Sequence, residues 1–341
     1  MSNTSTNSYK SPNEITVFKR GKPMPVFGLG TWQSSPEDVK LAVKTAVTAG
    51  YRLIDTASNY GNEEAIGEAL EELFKEGIVT RKELFITTKA WTNELAPGKV
   101  EPALRASLKR LKLDSVDLYL AHMPTATDDD GRHLEVSIED IWREFHSVHD
   151  LKLADSIGVS NWSLEQIDRV CALEVLEPAI FRPQIVQVEM HLYFPQNMYV
   201  RRVRDNLMEV QGYAPFGSPG RHNFDVPKRQ KLESDDYPSP LDDPVVRDLA
   251  QKFNKTPYQI LLRYLIDRLI PVIPKSVNPE HIRENINVFD FLLAPEDITR
   301  LESRRISHRL FTHDFMRGHP EDAFATERQP AVNPVTNPPP M

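Results

Sequence analysis

Short apolar runs that end in a polar residue recur along this chain, each followed by an amphipathic segment of helical length. This alternation constrains the fold more than any other feature of the sequence. The runs occupy residues 27–29, 51–54, 84–88, 116–121, 154–159, 185–188, 207–212 and 270–273. The helical segments occupy 36–49, 63–75, 97–111, 138–149, 164–173, 196–206 and 244–253, with 279–286 after the last run. Strand alternating with helix implies a parallel sheet, and eight units is the number that closes a (β/α)8 TIM barrel with long loops on its C-terminal face. An open, doubly wound sheet is the competing arrangement. The seventh run is the least typical, because Glu209 and Gln211 make it more polar than a buried parallel strand ought to be. Ahead of the first unit, residues 15–18, 19–23 and 24–27 read as a small N-terminal β-hairpin that plugs the barrel's lower end.

The 341 residues contain no Gly/Ser linker and no abrupt change of composition, so residues 14–325 read as one domain. The Ser, Thr and Asn-rich start, 1–13, and the Pro-rich end, 326–341, read as disordered tails. A net charge of -8 gives no support for binding nucleic acid or an acidic membrane. No apolar run approaches membrane-spanning length, and residues 1–13 lack the apolar stretch of a signal peptide. Cys171 is the single cysteine, which excludes an intrachain disulfide, a cysteine zinc cluster and a thioredoxin-type pair, and fits a reducing cytoplasm.

In a closed parallel barrel every strand opens onto one face at its C-terminal end, so polar residues that cap successive apolar runs become neighbours there. Asp55 ends the second run, Lys89 the third and His122 the fourth, and Tyr60 follows Asp55 closely. Taken alone, Asp55 is a turn or cap residue, Tyr60 a half-buried aromatic and His122 a satisfied strand-end histidine. Lys89 is harder to dismiss, because a lysine that extends a buried strand needs a carboxylate partner or a shifted pKa. Together the four make an acid catalyst. Lys89 would stabilise the phenolate of Tyr60 and lower its pKa, Asp55 would hold Lys89 ionised, and His122 would hydrogen-bond a substrate oxygen.

These residues sit in motifs that resemble the aldo-keto reductase family, of the aldose and aldehyde reductase type. The match runs from about Ile15 to Phe324 and includes Gly28-Leu29-Gly30-Thr31-Trp32, Tyr51-Arg52-Leu53-Ile54-Asp55-Thr56-Ala57 and Asp117-Leu118-Tyr119-Leu120-Ala121-His122. It continues through Ser156-Ile157-Gly158-Val159-Ser160-Asn161 and Ile273-Pro274-Lys275-Ser276. The resemblance implies that Asp55, Tyr60, Lys89 and His122 form the catalytic tetrad of an NADPH-dependent carbonyl reductase, with Tyr60 the proton donor and the reverse oxidation also open. It assigns Ser160, Asn161 and Gln187 to the nicotinamide carboxamide and Tyr213 to stacking on its ring, with Thr31 and Trp32 nearby. It assigns Ala214, Phe216, Gly217 and Ser218 to the pyrophosphate loop, and Lys275, Ser276, Val277, Asn278, His281, Glu284 and Asn285 to the adenosine end. The substrate pocket it implies is lined by Trp32, Asn59, Trp91, Met123 and Phe311, with no metal. The segment 309–324, with Phe315 and Met316, would set specificity. The partner is a small carbonyl compound, and the chain is expected to act as a monomer or weak homodimer.

The sequence departs from the family pattern in several places. His281 stands where most relatives carry an arginine for adenine and the 2′-phosphate, which predicts weaker discrimination and some use of NADH. Gln33 and Gly220 stand where relatives carry a lysine and an aspartate that latch the pyrophosphate loop. The following stretch, 221–240, is long and carries Lys228, Arg229, Lys231, Asp235 and Asp236, a solvated insertion or a new clamp. Met123 replaces a tryptophan, which predicts a softer and roomier pocket on that side.

Other readings carry less. A short-chain dehydrogenase would need a lysine where Glu64 stands, and Gln33 breaks a Rossmann glycine fingerprint. A metal-dependent hydrolase would need more strand-end ligands than Asp55 and His122, and His146 with His149 sits on an outer helix. The stronger rival is a regulatory or sensor protein that binds NADPH with little turnover.

Overall fold

The computed structural model describes residues 8–16, 22–220, 238–303 and 306–327. Two short strands, β1 (Ile15–Thr16) and β2 (Met24–Pro25), pair antiparallel, with Ile15 opposite Pro25 and Thr16 opposite Met24. The turn expected between them falls mostly outside the described residues. Then come β3 (Gly28–Gly30), α1 (Pro36–Thr48), β4 (Leu53–Asp55), α2 (Glu63–Lys75), β5 (Phe85–Ala90), α3 (Val100–Leu111) and β6 (Val116–Ala121). A small antiparallel pair, β7 (Ala126–Thr127) and β8 (His133–Leu134), precedes α4 (Ile138–Asp150), β9 (Ala154–Ser160), α5 (Leu164–Leu176), β10 (Ile185–Glu189), α6 (Asn197–Asp205) and β11 (Glu209–Tyr213). Among the described residues, four α-helices follow: α7 (Pro244–Phe253), α8 (Pro257–Asp267), α9 (Pro279–Ile286) and α10 (Pro295–Glu302).

Seven strands form one parallel sheet in the order β11-β10-β9-β6-β5-β4-β3. The eighth position is filled by residues 271–275, which bridge both edges and close the (β/α)8 barrel. Gly212 N donates to Pro271 O at 2.9 Å, Gly28 N to Val272 O at 2.9 Å and Gly30 N to Pro274 O at 3.1 Å. Isolated bridges replace the regular strand expected at 270–273. The reason is local: Pro271 and Pro274 have no N–H to give, so a continuous ladder cannot form. The other runs become strands with ends moved by a residue or two, and the seventh extends to Tyr213.

Strand alternation divides the side chains between two environments. Leu53, Phe85, Leu118, Leu120 and Ile185 fill the barrel interior, and Met24 of the hairpin joins them from below. Ile54, Ile86, Tyr119, Val159 and Val186 face outward into the large apolar layer beneath the helices. Counting on by twos from the inner residues, Asp55, Lys89, His122, Ser160, Gln187 and Tyr213 share the inner face at the strands' C-terminal ends.

Two helices, α8 and α10, lie outside the segments read from the sequence. In α8 every residue from Gln259 to Ile266 is buried, so it carries no polar stripe to mark helical periodicity. Buried Arg263 on α8 pairs with Asp267 at 2.5 Å and donates to Tyr9 O at 3.2 Å. The start of the chain meets that demand for acceptors. Ser8 also donates to Asp267 at 2.5 Å, and Tyr9 lies half-buried against the core. The N-terminal tail expected through residue 13 is therefore packed from residue 8, and Arg309 pairs with Glu327 at the other end. Residues 1–7 and 328–341 of the expected tails lie outside the described residues. Among the described residues, no helix is long and apolar enough to cross a membrane.

Candidate active site

The Lys89 side chain is fully buried inside the barrel mouth, and each of its three ammonium hydrogens has an acceptor. It donates to Asp55 Oδ1 at 2.5 Å, to Thr56 O at 2.9 Å and to the Tyr60 hydroxyl at 3.2 Å. Three bonds leave the ammonium no freedom to turn. Because Lys89 donates to the phenol oxygen, the phenol's own proton is left to point into the cleft above. Tyr60 itself is set by a short 3-10 turn, Ser58–Tyr60, closed by Gly61 in the left-handed region at φ 69°.

Asp55 is fixed from a second side. Gln187 Nε2 donates to Asp55 Oδ2 at 2.7 Å and to Gln211 Oε1 at 2.7 Å. Gln211, in turn, lies 3.5 Å from Met24 Sδ on the hairpin plug. A polar chain therefore runs up the barrel axis from Gln211 through Gln187, Asp55 and Lys89 to Tyr60. Gln211 was not among the site residues expected from the sequence, although its polarity in the seventh run was the signal. The hydrogen-bond demand of Gln187 explains it.

Burial pushes the Asp55 carboxyl up and the Lys89 ammonium down, each opposed by the other's charge. Burial also raises the Tyr60 phenol well above 10.0, and the Asp55 carboxylate adds to the rise. That reverses the expectation that Lys89 lowers it. The nearby Asp55 carboxylate offsets the ammonium, and a phenolate in this dry site would lose its hydration. Tyr60 therefore rests as a phenol, with its proton in place. His122 is held well below 6.5 by burial first and then by the charges of Lys89 and His313, so it is neutral. Its ring meets Tyr60 edge-on at 5.7 Å and Trp91 at 5.0 Å.

A cleft of about 1410 Å³ opens above these groups. Of the residues expected at the site, Lys89 and Gly217 do not line it, the first because it lies beneath Tyr60 and Asp55. Thr31, Trp32, Asp55, Asn59, Tyr60, Trp91, His122, Met123, Ser160, Asn161, Gln187, Tyr213, Ala214, Phe216 and Ser218 all do. So do Lys275, Ser276, Val277, Asn278, His281, Glu284, Asn285 and Phe311.

Several of these are already committed to partners. Asn161, left-handed at φ 62°, donates to His122 O and Ser160 Oγ, both at 3.1 Å, and accepts from the Tyr213 hydroxyl at 2.8 Å. Tyr213 is thereby locked with Phe311 edge-on at 5.6 Å. After it, Ala214, Gly217 and Ser218 have φ of 54°, 71° and 46°, a turn conformation that bares backbone N–H groups. Asn278 caps α9, its Oδ1 accepting from Glu280 N at 2.8 Å and His281 N at 3.4 Å. Glu284 accepts from Thr256 Oγ1 at 2.7 Å. Lys275 forms no ion pair with the described residues, and partial burial holds its ammonium below the usual lysine value.

On the side where the sequence predicts a softer, roomier pocket, Met123 lines the cleft and packs against Met316 and Phe324 of the 309–324 segment. Met316 is fully buried, whereas Phe311 and Phe315 line the cleft. The latch positions Gln33 and Gly220 both line it as well, while residues 221–237 of the long insertion lie outside the described residues. Sequence reasoning did not single out Thr256, Tyr258, Leu310, His313, Asp314 or Arg317, which also line the cleft.

A sequence model described as the aldo/keto reductase family matches residues 26–306. Aldo-keto reductase family 1 member A1 of Sus scrofa is 41% identical over 299 residues, covering 84% of this chain and 88% of that protein. The protein of that name from Mus musculus is also 41% identical over 299 residues, with the same 84% and 88% coverage. Among solved structures, a Bombyx mori aldo-keto reductase in complex with NADP superposes with a TM-score of 0.81 at 35% identity, over 93% of this chain and 100% of that one. Similarity of this extent, running through the barrel and every strand end that builds the cleft, means that the chain belongs to the aldo/keto reductase family of oxidoreductases.

Proposed function

We propose that this chain reduces an aldehyde or ketone to the alcohol at the expense of NADPH, with Tyr60 delivering the proton. The observation that carries this reading is the 3.2 Å contact between the Lys89 ammonium and a half-buried Tyr60 hydroxyl held in its protonated form. The residues fit a dinucleotide. Gln187 Oε1 and the Ser160 hydroxyl proton are uncommitted and suit an amide, the Tyr213 ring suits a flat heterocycle, and the turn at 214–218 suits pyrophosphate. Lys275 offers a cation near a capped helix start, which suits a 2′-phosphate. The Bombyx mori relative was solved with NADP.

When bound, the reduced dinucleotide supplies the hydride. The chain's own groups do the rest. His122, neutral and edge-on to Tyr60, donates a hydrogen bond to the carbonyl oxygen and holds it against the phenol. As negative charge grows on that oxygen, it becomes far more basic than a phenolate, and Tyr60 releases its proton to it. Lys89 then faces a full phenolate at 3.2 Å and stabilises it, while Asp55 and Gln187 keep the ammonium from moving. A high resting pKa is compatible with this role, since it keeps the proton on Tyr60 until the charge appears.

His281 in place of arginine supports a weaker preference for NADPH over NADH. The experiment is to follow loss of reduced-nicotinamide absorbance with a panel of aldehydes and ketones, alongside NADPH binding by fluorescence. Consumption with at least one carbonyl class is expected. Tight binding with no consumption across the panel would favour the sensor reading instead.

A further inference from the structure

None of residues 126–134, the β7–β8 hairpin, lines the cleft, yet the hairpin is tied to two aromatic residues at its substrate end. We propose that His133 on this hairpin is a positioning residue: it holds Phe315 against Trp91 and so fixes the aromatic wall that a bulky carbonyl substrate meets. The proposal rests on the reductase reading above.

The lower tie reaches the turn that presents Trp91. Thr127 Oγ1 on β7 and Thr92 Oγ1 form a buried hydrogen bond of 2.9 Å. Trp91 is fixed beside it, its N donating to Glu94 Oε2 at 2.8 Å. The upper tie leaves from directly across the pair, since His133 on β8 is the register partner of Thr127. His133 Nε2 lies 2.9 Å from Phe315 O. A carbonyl can only accept, so Nε2 carries the hydrogen and donates it.

Phe315 gains from such a hold. It sits in the middle of a short 3-10 turn, Asp314–Met316, entered through His313 in the left-handed region at φ 48°. Phe315 is 44% exposed, so packing alone restrains it weakly, and its ring meets Trp91 at 5.4 Å with the planes at 49°. The Glu189 bonds to Leu310 N and Phe311 N act several residues earlier. A second histidine secures the junction. His319 Nδ1 accepts from Glu321 N at 2.9 Å, which leaves its Nε2 to donate to Leu134 O at 3.0 Å. The His133 and His319 rings meet edge-on at 5.0 Å.

The contacts run from Trp91 through Thr92, Thr127 and His133 to Phe315 and back to Trp91. In a closed circuit of this kind the hairpin sets the spacing of the two rings. The His133 bond acts on the Phe315 backbone and not on Tyr60, Lys89 or His122. Its loss should weaken binding of substrates wide enough to reach Phe315 and spare the chemical step.

The test compares NADPH-dependent reduction of 2-naphthaldehyde and of propanal by wild type, His133→Ala and His133→Gln. His133→Ala should raise KM for naphthaldehyde about fivefold with kcat within about twofold, the scale of one lost hydrogen bond. KM for propanal should stay within about twofold. His133→Gln places an amide nitrogen near the position of Nε2 and should restore the naphthaldehyde KM to within about twofold of wild type. Amide exchange across residues 313–318 should quicken in His133→Ala and not in His133→Gln. An unchanged naphthaldehyde KM in His133→Ala, equal weakening of both aldehydes, or His133→Gln as weak as His133→Ala overturns the role of His133 while leaving the reductase reading in place. Wild-type chain that turns over neither these aldehydes nor any other carbonyl of the panel overturns the reductase reading, and this role with it.

Discussion

Lys89 donates to the Tyr60 hydroxyl at 3.2 Å while that phenol stays protonated. The ammonium does not ionise Tyr60 at rest; in the proposed mechanism it acts on the phenolate that forms once the proton has left. The difference matters for pH dependence, because a tyrosine made acidic in advance would titrate within the working range and this one does not.

The pH profile of kcat/KM reports ionisations of the free enzyme. His122 lies well below 6.5 and Tyr60 well above 10.0, so neither changes state through neutrality. Lys89 is lowered from 10.5, and its ammonium is lost as pH rises. The reduction should therefore be flat across neutral pH and fall on the alkaline side. An inflection near 6.5 that disappears in His122→Gln would contradict this assignment.

Glu189 ends β10 inside the barrel mouth and holds the start of the 309–324 segment. Leu310 N donates to its Oε1 at 2.8 Å, Phe311 N to its Oε2 at 3.0 Å, and His191 lies 2.8 Å away. Burial alone would raise this carboxyl, but His191, Arg309 and the Leu310 amide outweigh it and hold it below the usual value. Its contribution to stability is thus complete above the unfolded pKa and is lost as pH falls through the folded one. Glu189→Gln should speed hydrogen exchange in residues 309–316 and raise KM for the carbonyl by about tenfold, the loss of one charged hydrogen bond. Exchange as slow as wild type would show that the loop is held elsewhere.

Gly67 lies in the middle of α2, where alanine normally gains roughly 1 kcal/mol of helix propensity. Here an added Cβ would sit 2.2 Å from Arg110 O and 2.7 Å from the Leu111 carbonyl carbon, both backbone. Overlap with backbone is not relieved by turning a side chain, so overpacking wins. Gly67→Ala should lose about 1–3 kcal/mol in denaturant unfolding. A stabilised variant would mean that α2 and α3 can move apart freely.

His281→Arg should sharpen cofactor choice. A guanidinium there can reach a 2′-phosphate by a charge-assisted hydrogen bond, so the ratio of NADH to NADPH dissociation constants should rise about tenfold. A wild-type ratio already large and unmoved by the substitution would show that Lys275 suffices.

Much of this was legible because two periods act together. Counting by twos from Leu53, Phe85 and Leu120 brings Asp55, Lys89 and His122 to one inner face, and parallel connection brings those ends to one mouth. What stayed hidden depended on partners far away in sequence. The eighth strand is reduced to bridges by two prolines, and α8 is buried all round, so neither shows a clean period. The pKa of Tyr60 depends on how dry its surroundings are, which no motif states. Met123 packs against Met316, nearly two hundred positions on, a contact that no local motif states.

The most direct measurement compares Tyr60→Phe with wild type for NADPH binding and for reduction of the best carbonyl substrate in the same preparation. Phenylalanine keeps the ring beside His122 but has no proton to give. Reduction should fall by about 10²-fold or more, the scale of a lost general acid, with the NADPH dissociation constant within about twofold. A variant that binds NADPH normally and still reduces the carbonyl at a rate near wild type would contradict Tyr60 as the proton donor.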